Sequence, residues 1–361
     1  MGVNITITDT EIPVTSSFIK FIYSTIKGEP YYTANWFRQE DESLSYDEST
    51  VKDLNLKAQT IATDPSGSQY LLRSYRIFRE LLLGKTHLLG EVSKLRFFFV
   101  IGFPRTGGTY LTKQLFVARG VDYEGVQNAL AHDGFPHLSY STFTKKGNAY
   151  TNGLMQLAEY FTMVEVFFGK RMDPSDRGSL IVPKKFTKAV YNFDLIRELF
   201  GSNAEYIITV RDPLSVCKSV LDKSGGLPPG GKFAVRGNIE SWALEDWVHW
   251  GVPEKQVLQM DYVECIIGYW KRFHFQMAMA GIPKMPTATI VPYGQEHMTG
   301  FARQLFSRFG LNKDPENFKK AEPPQFSADH EKEARKAVED VASFWKSLGM
   351  EFPVEALAAR P

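Results

Sequence analysis

The chain has 361 residues, 43% hydrophobic and 23% charged, with 42 Lys and Arg against 41 Asp and Glu. This is ordinary for a globular protein, and a net charge of +1 excludes a bulk field that would draw nucleic acid or a membrane surface, so any anion site has to be local. Two cysteines, Cys217 and Cys265, exclude a disulfide framework and fit a reducing, cytoplasmic setting.

The first residues, MGVNITITDTEIPV, have neither the basic start nor the apolar core of a secretory signal. No run of about 18 apolar residues suggests a membrane span. Gly2 to Thr6 fits the loose myristoylation pattern, which is short enough to match by chance, and is read as an ordinary start. Residues 39–53 are acidic and polar and read as an exposed loop. After a turn at 64–68, Tyr70, Leu71, Tyr75, Phe78 and Leu81 recur at helical spacing, so 69–84 is expected to be an amphipathic helix. Residues 1–95 are expected to form a helical cover on a main domain spanning 96–361.

From Phe97 the pattern alternates. Strands are expected at 97–101, 121–123, 179–182, 205–210 and 287–292. Helices are expected at 109–119, 153–168, 190–200, from Pro213 to Asp222, 238–250, 260–280, 301–309 and 329–347. Residues 124–150 read as an inserted loop, and the glycine- and proline-rich stretch 223–237 as either a mobile lid or a plain surface loop. The alternation implies a three-layer α/β fold with a central, mostly parallel sheet flanked by helices, plus the helical N-terminal extension. Ligands in such sheets sit beyond the carboxyl ends of the strands. The turns at 102–109 and 211–213 both follow strands and should open on one edge.

The first of those turns carries the chemistry. A buried strand, a glycine-rich turn and a helix start present free backbone N–H groups and a helix dipole to an anion, which makes a P-loop-like phosphate site. Gly102, Gly107 and Thr109 fit the G-x-x-x-x-G-K-[ST] pattern, but Gly108 stands at the lysine position. That argues against triphosphate chemistry. The cation sits inside the loop instead, as Arg105, whose fork suits a bidentate grip on oxygen pairs.

Pro104-Arg105-Thr106-Gly107-Gly108-Thr109-Tyr110 resembles the 5′-phosphosulfate loop of the sulfotransferases that use 3′-phosphoadenosine 5′-phosphosulfate, roughly P-[KR]-[ST]-G-[TS]-[TS]-[WL]. A second stretch, Tyr206 to Pro213, is a strand ending in Arg-Asp-Pro, with Ser219 eight residues after Arg211. In that family this arginine and this serine hold the 3′-phosphate. The resemblance covers about 97–222, is faint from 285 to 311 around Tyr293, and does not reach 1–90. It implies transfer of a sulfonate to a hydroxyl or amine of a small-molecule acceptor, with adenosine 3′,5′-bisphosphate as product and no metal. The balanced charge speaks against a nucleic-acid partner, and a homodimer is compatible with the reading.

The resemblance also puts a lysine after the strand that precedes the 3′-phosphate strand, as K-x-P-x-H or K-T-H. Lys185 fits best among Lys184, Lys185 and Lys188, while Thr187 and Ala189 stand where the usual histidine would be. The alternative for these lysines is a solvated strand end. The acceptor needs a base within hydrogen-bond reach, and Glu124, His132, Asp133 and His137 are the sequence candidates, with Glu124 and His132 ahead. Asp212 reads as a helix-start residue rather than a catalyst. Two rival readings stand beside this one. The chain is a nucleotide-dependent kinase or phosphotransferase, or an inactive relative that only binds nucleotide.

Overall fold

The computed structural model describes residues 2–7, 10–29, 47–85, 96–121, 123–126, 130–131, 149–169, 181–191, 193–201, 204–320 and 325–358. Strands β1 (Gly2–Ile7) and β2 (Thr10–Thr15) precede helices α1 (Ser16–Lys27), α2 (Glu48–Thr63) and α3 (Pro65–Leu82). Strand β3 (Arg96–Gly102) leads to α4 (Gly108–Val117), the one-turn α5 (Tyr123–Val126) and α6 (Ala149–Gly169). Strand β4 (Ile181–Lys185) is followed by a 3-10 turn at Thr187–Tyr191 and by α7 (Phe193–Phe200). After β5 (Ala204–Val210) come α8 (Pro213–Ser224), α9 (Asn238–His249), α10 (Glu254–Val257) and α11 (Tyr262–Met279). Then follow β6 (Ala288–Pro292), α12 (Gln295–Arg308), α13 (Ala328–Ser347) and α14 (Val354–Ala358).

The chain divides into two compact units. Met1–Arg96, Gly120–Lys184 and Glu198–Phe200 form the first; Phe97–Arg119, Lys185–Arg197 and Gly201–Pro361 form the second.

The first unit opens on a hairpin, not a helix: β1 and β2 pair antiparallel from Gly2↔Thr15 to Ile7↔Thr10. The alternation of Ile5 and Ile7 with polar residues carries a period of two, which the helical expectation for 1–95 passed over. Thr15 ends the hairpin and caps α1, its hydroxyl accepting from Phe18 N. Its own N–H and hydroxyl donate to the buried Glu159 of α6 at 2.8 and 2.6 Å. The acidic stretch also departs from expectation at 47–53. Asp47 accepts from Thr50 N at 2.7 Å and starts α2, so acidic side chains there face a helix N-terminus, where negative charge is favoured. Helix α3 begins on Pro65 behind the Asp64 cap, and its Arg73 pairs with Glu165 of α6 at 2.8 Å. Against the strand expected at 121–123, Val121 belongs to no element and α5 starts at Tyr123, while Asp122 lies outside the described residues.

The sheet runs in the order β4-β3-β5-β6, with all four strands parallel and helices flanking it. Its strands read as apolar runs because a parallel sheet is buried on both faces. Phe97 to Ile101 are each at most 3% exposed. Full burial of a large apolar side chain contributes about 1.5–3 kcal/mol, against about 1 kcal/mol for one hydrogen bond, so the strand carries the loop that follows it. Strands β3 and β5 are in register from Phe97↔Ala204 to Gly102↔Thr209. Both therefore end at the same level, and the turns after them open on one edge.

Helix α8 begins on Pro213, is capped by Asp212 Oδ1 accepting from Ser215 N at 2.9 Å, and stops at Gly225 in the left-handed region. The stretch 225–237 is tied down on both sides. Phe233 N donates to Met260 O, Arg236 to Gly226 O, and Lys232 bridges to Asp261. No described helix is long and apolar enough to cross a membrane.

Candidate anion site at the β3–α4 loop

The site lies wholly in the second unit. Phe103, fully buried, roots the loop against Tyr269 and Phe273 of α11, at ring distances of 4.7 and 5.4 Å. Thr106, buried beneath the turn, donates to Phe103 O at 2.7 Å and meets Thr209 Oγ1 of β5 at 2.7 Å. Above these anchors the backbone alternates. Arg105 has φ 71° and Gly107 φ 85°, while Thr106 between them stays at negative φ. Such alternation turns successive N–H groups to one side and makes a concave nest for an anion. Gly107 is the N-cap of α4, with no side chain capping the helix, and the amides of its first turn lie at the open N-terminal end. Their direction and the helix dipole favour negative charge at this point.

Three cations converge here. The exposed Arg105 projects from the nest, and its Nε donates to Ser219 Oγ of α8 at 3.0 Å. Arg211, next after β5, donates from a terminal guanidinium nitrogen to Arg105 O at 3.0 Å. Its guanidinium lies 4.2 Å from the Tyr293 ring centre, and its carbonyl accepts from Trp270 Nε1 at 3.0 Å. Arg211 Nε is buried and has no hydrogen-bond partner. Burial pulls the Arg211 guanidinium below the ordinary arginine value, with smaller opposing pulls from Tyr293 and Asp212. It remains a cation, and one short of partners.

Lys185 is the third, only 6% exposed, its ammonium donating to Thr187 Oγ1. Its Cε lies 3.7 Å from the place a Cβ on Gly108 would take, and that Cβ would stand 3.0 Å from Val100 Cγ1. The lysine position of a G-x-x-x-x-G-K loop is therefore crowded by Val100, and a lysine from the end of β4 occupies the neighbouring space. Lys184, fully buried in the first unit, lies 4.3 Å over the Tyr160 ring. Burial of both lysines overturns the solvated strand end for them. Lys188 is half-buried, 5.2 Å from the Trp242 ring.

The remaining sequence candidates separate. Pro104 is buried and Thr109 half-buried at the second position of α4. Tyr110 turns away, donating to Glu316 Oε2 at 2.5 Å; burial and that carboxylate push its phenol up to about 12. Glu124 is exposed on α5 of the first unit. His132, Asp133 and His137 lie outside the described residues. Both cysteines are free and buried, and burial raises both thiols, Cys265 to about 12. A cleft of about 390 Å³ between the start of α8 and helices α13 and α14 includes Asp212 and Pro213, but none of Arg105, Lys185, Arg211 or Ser219 lines it.

Sequence reasoning missed Trp270 and Thr209, and gave Tyr293 no role in the site. All three act across strands or helices, and only the strand-end position of Thr209 carried a local signal.

No family model, no curated protein and no solved structure matches the chain.

Proposed function

We propose that the chain is a sulfotransferase that uses 3′-phosphoadenosine 5′-phosphosulfate and passes the sulfonate to a hydroxyl or amine of a small molecule. The observation that carries the reading is the joining of two motifs more than 100 residues apart. Arg105 of the first donates to Ser219 of the second at 3.0 Å, and Arg211 of the second donates to the Arg105 carbonyl at 3.0 Å. An anion with two phosphate groups suits a nest and helix start on one side and an arginine–serine pair on the other. The orphaned Arg211 Nε and the glycines at 107 and 108 fit such a ligand.

When bound, the donor supplies an activated sulfonate whose in-line transfer leaves a phosphate oxygen carrying the negative charge. The amides of Gly108 to Tyr110 would hold the 5′-phosphate, and Arg211 with Ser219 the 3′-phosphate. Arg105 and Lys185 stand ready to offset charge at the transferring end, where fixed cations are most effective because they need no rearrangement. Asp212 does not take part; its carboxylate is committed to capping α8. The base that takes the acceptor proton is assigned to Glu124 or His132 on the sequence argument alone.

Isothermal calorimetry tests the reading. Adenosine 3′,5′-bisphosphate should bind with at least tenfold preference over ATP–Mg, roughly 1.4 kcal/mol. Preference for ATP–Mg would favour the phosphotransferase reading. Tight bisphosphate binding without transfer to any acceptor in a broad screen would favour the inactive relative.

A further inference from the structure

We infer that Tyr293 is a positioning residue that sets Arg211 against the phosphate loop, and through it the preference for a nucleotide with a second phosphate. The inference rests on the nucleotide reading above.

Tyr293 follows β6 directly, and its N–H donates to Val210 O at 2.6 Å, which fixes it beside the end of β5. Its ring face lies under Arg211, 4.2 Å from centre to guanidinium. Its edge closes on the nest. A Cβ on Gly107 would stand 2.9 Å from Tyr293 Cε2 and 3.0 Å from Cδ2. The hydroxyl donates to Lys319 O at 3.2 Å, and Phe318 packs edge-on at 6.5 Å. Phe318 is itself buried, its N–H donating to Thr299 Oγ1 of α12 at 3.1 Å. The ring is thus held by backbone, hydroxyl and neighbour, and it meets both the helix-start glycine and the arginine.

The choice of an aromatic residue has a physical reason. Arg211 makes one side-chain hydrogen bond, to Arg105 O, and no ion pair among the described residues. A carboxylate under it would fix its position but neutralise it and compete with a phosphate. A π face attracts the cation and leaves its charge and its outward N–H groups to the ligand. Because the same ring bounds Gly107, it also sets the distance between the nest and the arginine. A ligand that spans both points reads that distance, and one that occupies the nest alone does not.

The test is calorimetry of the full chain with adenosine 3′,5′-bisphosphate and with adenosine 5′-monophosphate, for wild type, Tyr293→Phe and Tyr293→Leu. Phenylalanine keeps the π face and should hold both affinities within about twofold of wild type. Leucine should weaken the bisphosphate about tenfold and leave the monophosphate within about twofold, in line with the range for a partly desolvated cation–π contact. If leucine does not fold, Tyr293→Met, similar in bulk without a π face, is judged by the same criteria. Equal loss of both ligands, unchanged preference with leucine, or an equal fall with phenylalanine overturns the role of Tyr293. A wild-type protein that does not prefer the bisphosphate overturns the nucleotide reading itself, and the inference with it.

Discussion

The backbone at Gly102 runs so close to Thr209 that a Cβ there would stand 2.2 Å from Thr209 Oγ1 and 2.6 Å from its carbonyl oxygen. The contact joins the last residue of β3 to its register partner in β5, and the buried Thr106 hydroxyl completes it from above. Gly102→Ala therefore meets a backbone oxygen that cannot rotate aside. The variant should lose about 2–3 kcal/mol in urea unfolding, the upper range for overpacking. Thr209→Val removes only one hydroxyl pair, leaves Thr106 bonded to Phe103 O, and should lose about 1 kcal/mol. Equal losses from the two variants would contradict the close approach.

Gly108→Lys restores the letter of the nucleoside-triphosphate loop and should not restore its function. The new Cβ would meet Val100 Cγ1 at 3.0 Å, and the stem would enter space next to Lys185 Cε. A second ammonium beside Lys185 adds like-charge repulsion in a buried place. The variant should bind the bisphosphate at least about tenfold more weakly, equivalent to about 1.4 kcal/mol, and gain nothing for ATP–Mg. Calorimetry with both ligands checks this, and new ATP–Mg affinity would contradict it.

Arg105 separates stability from function. Its φ of 71° is the one positive value among the described non-glycine residues, and such a backbone costs about 1 kcal/mol that glycine does not incur. Arg105→Gly gives up the guanidinium and its exposed bond to Ser219, while the residue-105 carbonyl can still accept from Arg211. Its melting temperature should match or exceed that of wild type, yet the sulfonate transfer proposed for the chain should vanish. Arg105→Ala keeps the strain, so it should be about 1 kcal/mol less stable than the glycine variant and equally inactive. Full turnover by either variant would remove Arg105 from the chemistry.

Much of the second unit was legible because its signals are local. Pro213 behind Asp212 announces a helix start, and the run from Phe97 to Ile101 announces a buried strand. The site was half legible for the same reason. Arg105 could be named from its neighbours in the loop, whereas Arg211 was named through the resemblance of its strand end, Arg-Asp-Pro, to the sulfotransferase pattern. Tyr293 could not be given a role, because its partners Gly107, Arg211 and Lys319 come from three separate segments and no local pattern encodes that meeting. Lys184 and Lys185 show the opposite failure. Their charge allowed a solvated strand end beside the site role given to Lys185, but the end of β4 buries both. The hairpin Gly2–Thr15 was lost because its alternating Ile5 and Ile7 are too few to outweigh the helical periodicity downstream.

Two buried groups near the core give stability slopes of opposite sign. Asp246 of α9 pairs with Arg272 of α11 at 2.5 Å, yet burial outweighs the pairing and raises its carboxyl to about 6 from 3.8. His274 sits two residues further along α11 among Trp270, Phe273, Phe103 and Phe352; its Nδ1–H donates to Trp270 O and its Nε2 is buried with no hydrogen-bond partner among the described residues. Burial lowers it to about 4 from 6.5. Between pH 6 and 4 the folded chain holds the extra proton at Asp246, so acidification stabilises it. Over nearly the same window the unfolded chain holds the extra proton at His274, so acidification destabilises it. The two slopes therefore oppose each other in wild type. Asp246→Asn should uncover the histidine slope, losing stability relative to wild type as pH falls from 6 to 4. His274→Phe fits the aromatic surroundings and should gain relative to wild type over the same fall. Denaturant unfolding at the two pH values reads both differences, and the same sign in both variants would sink the assignment of opposite slopes to these groups.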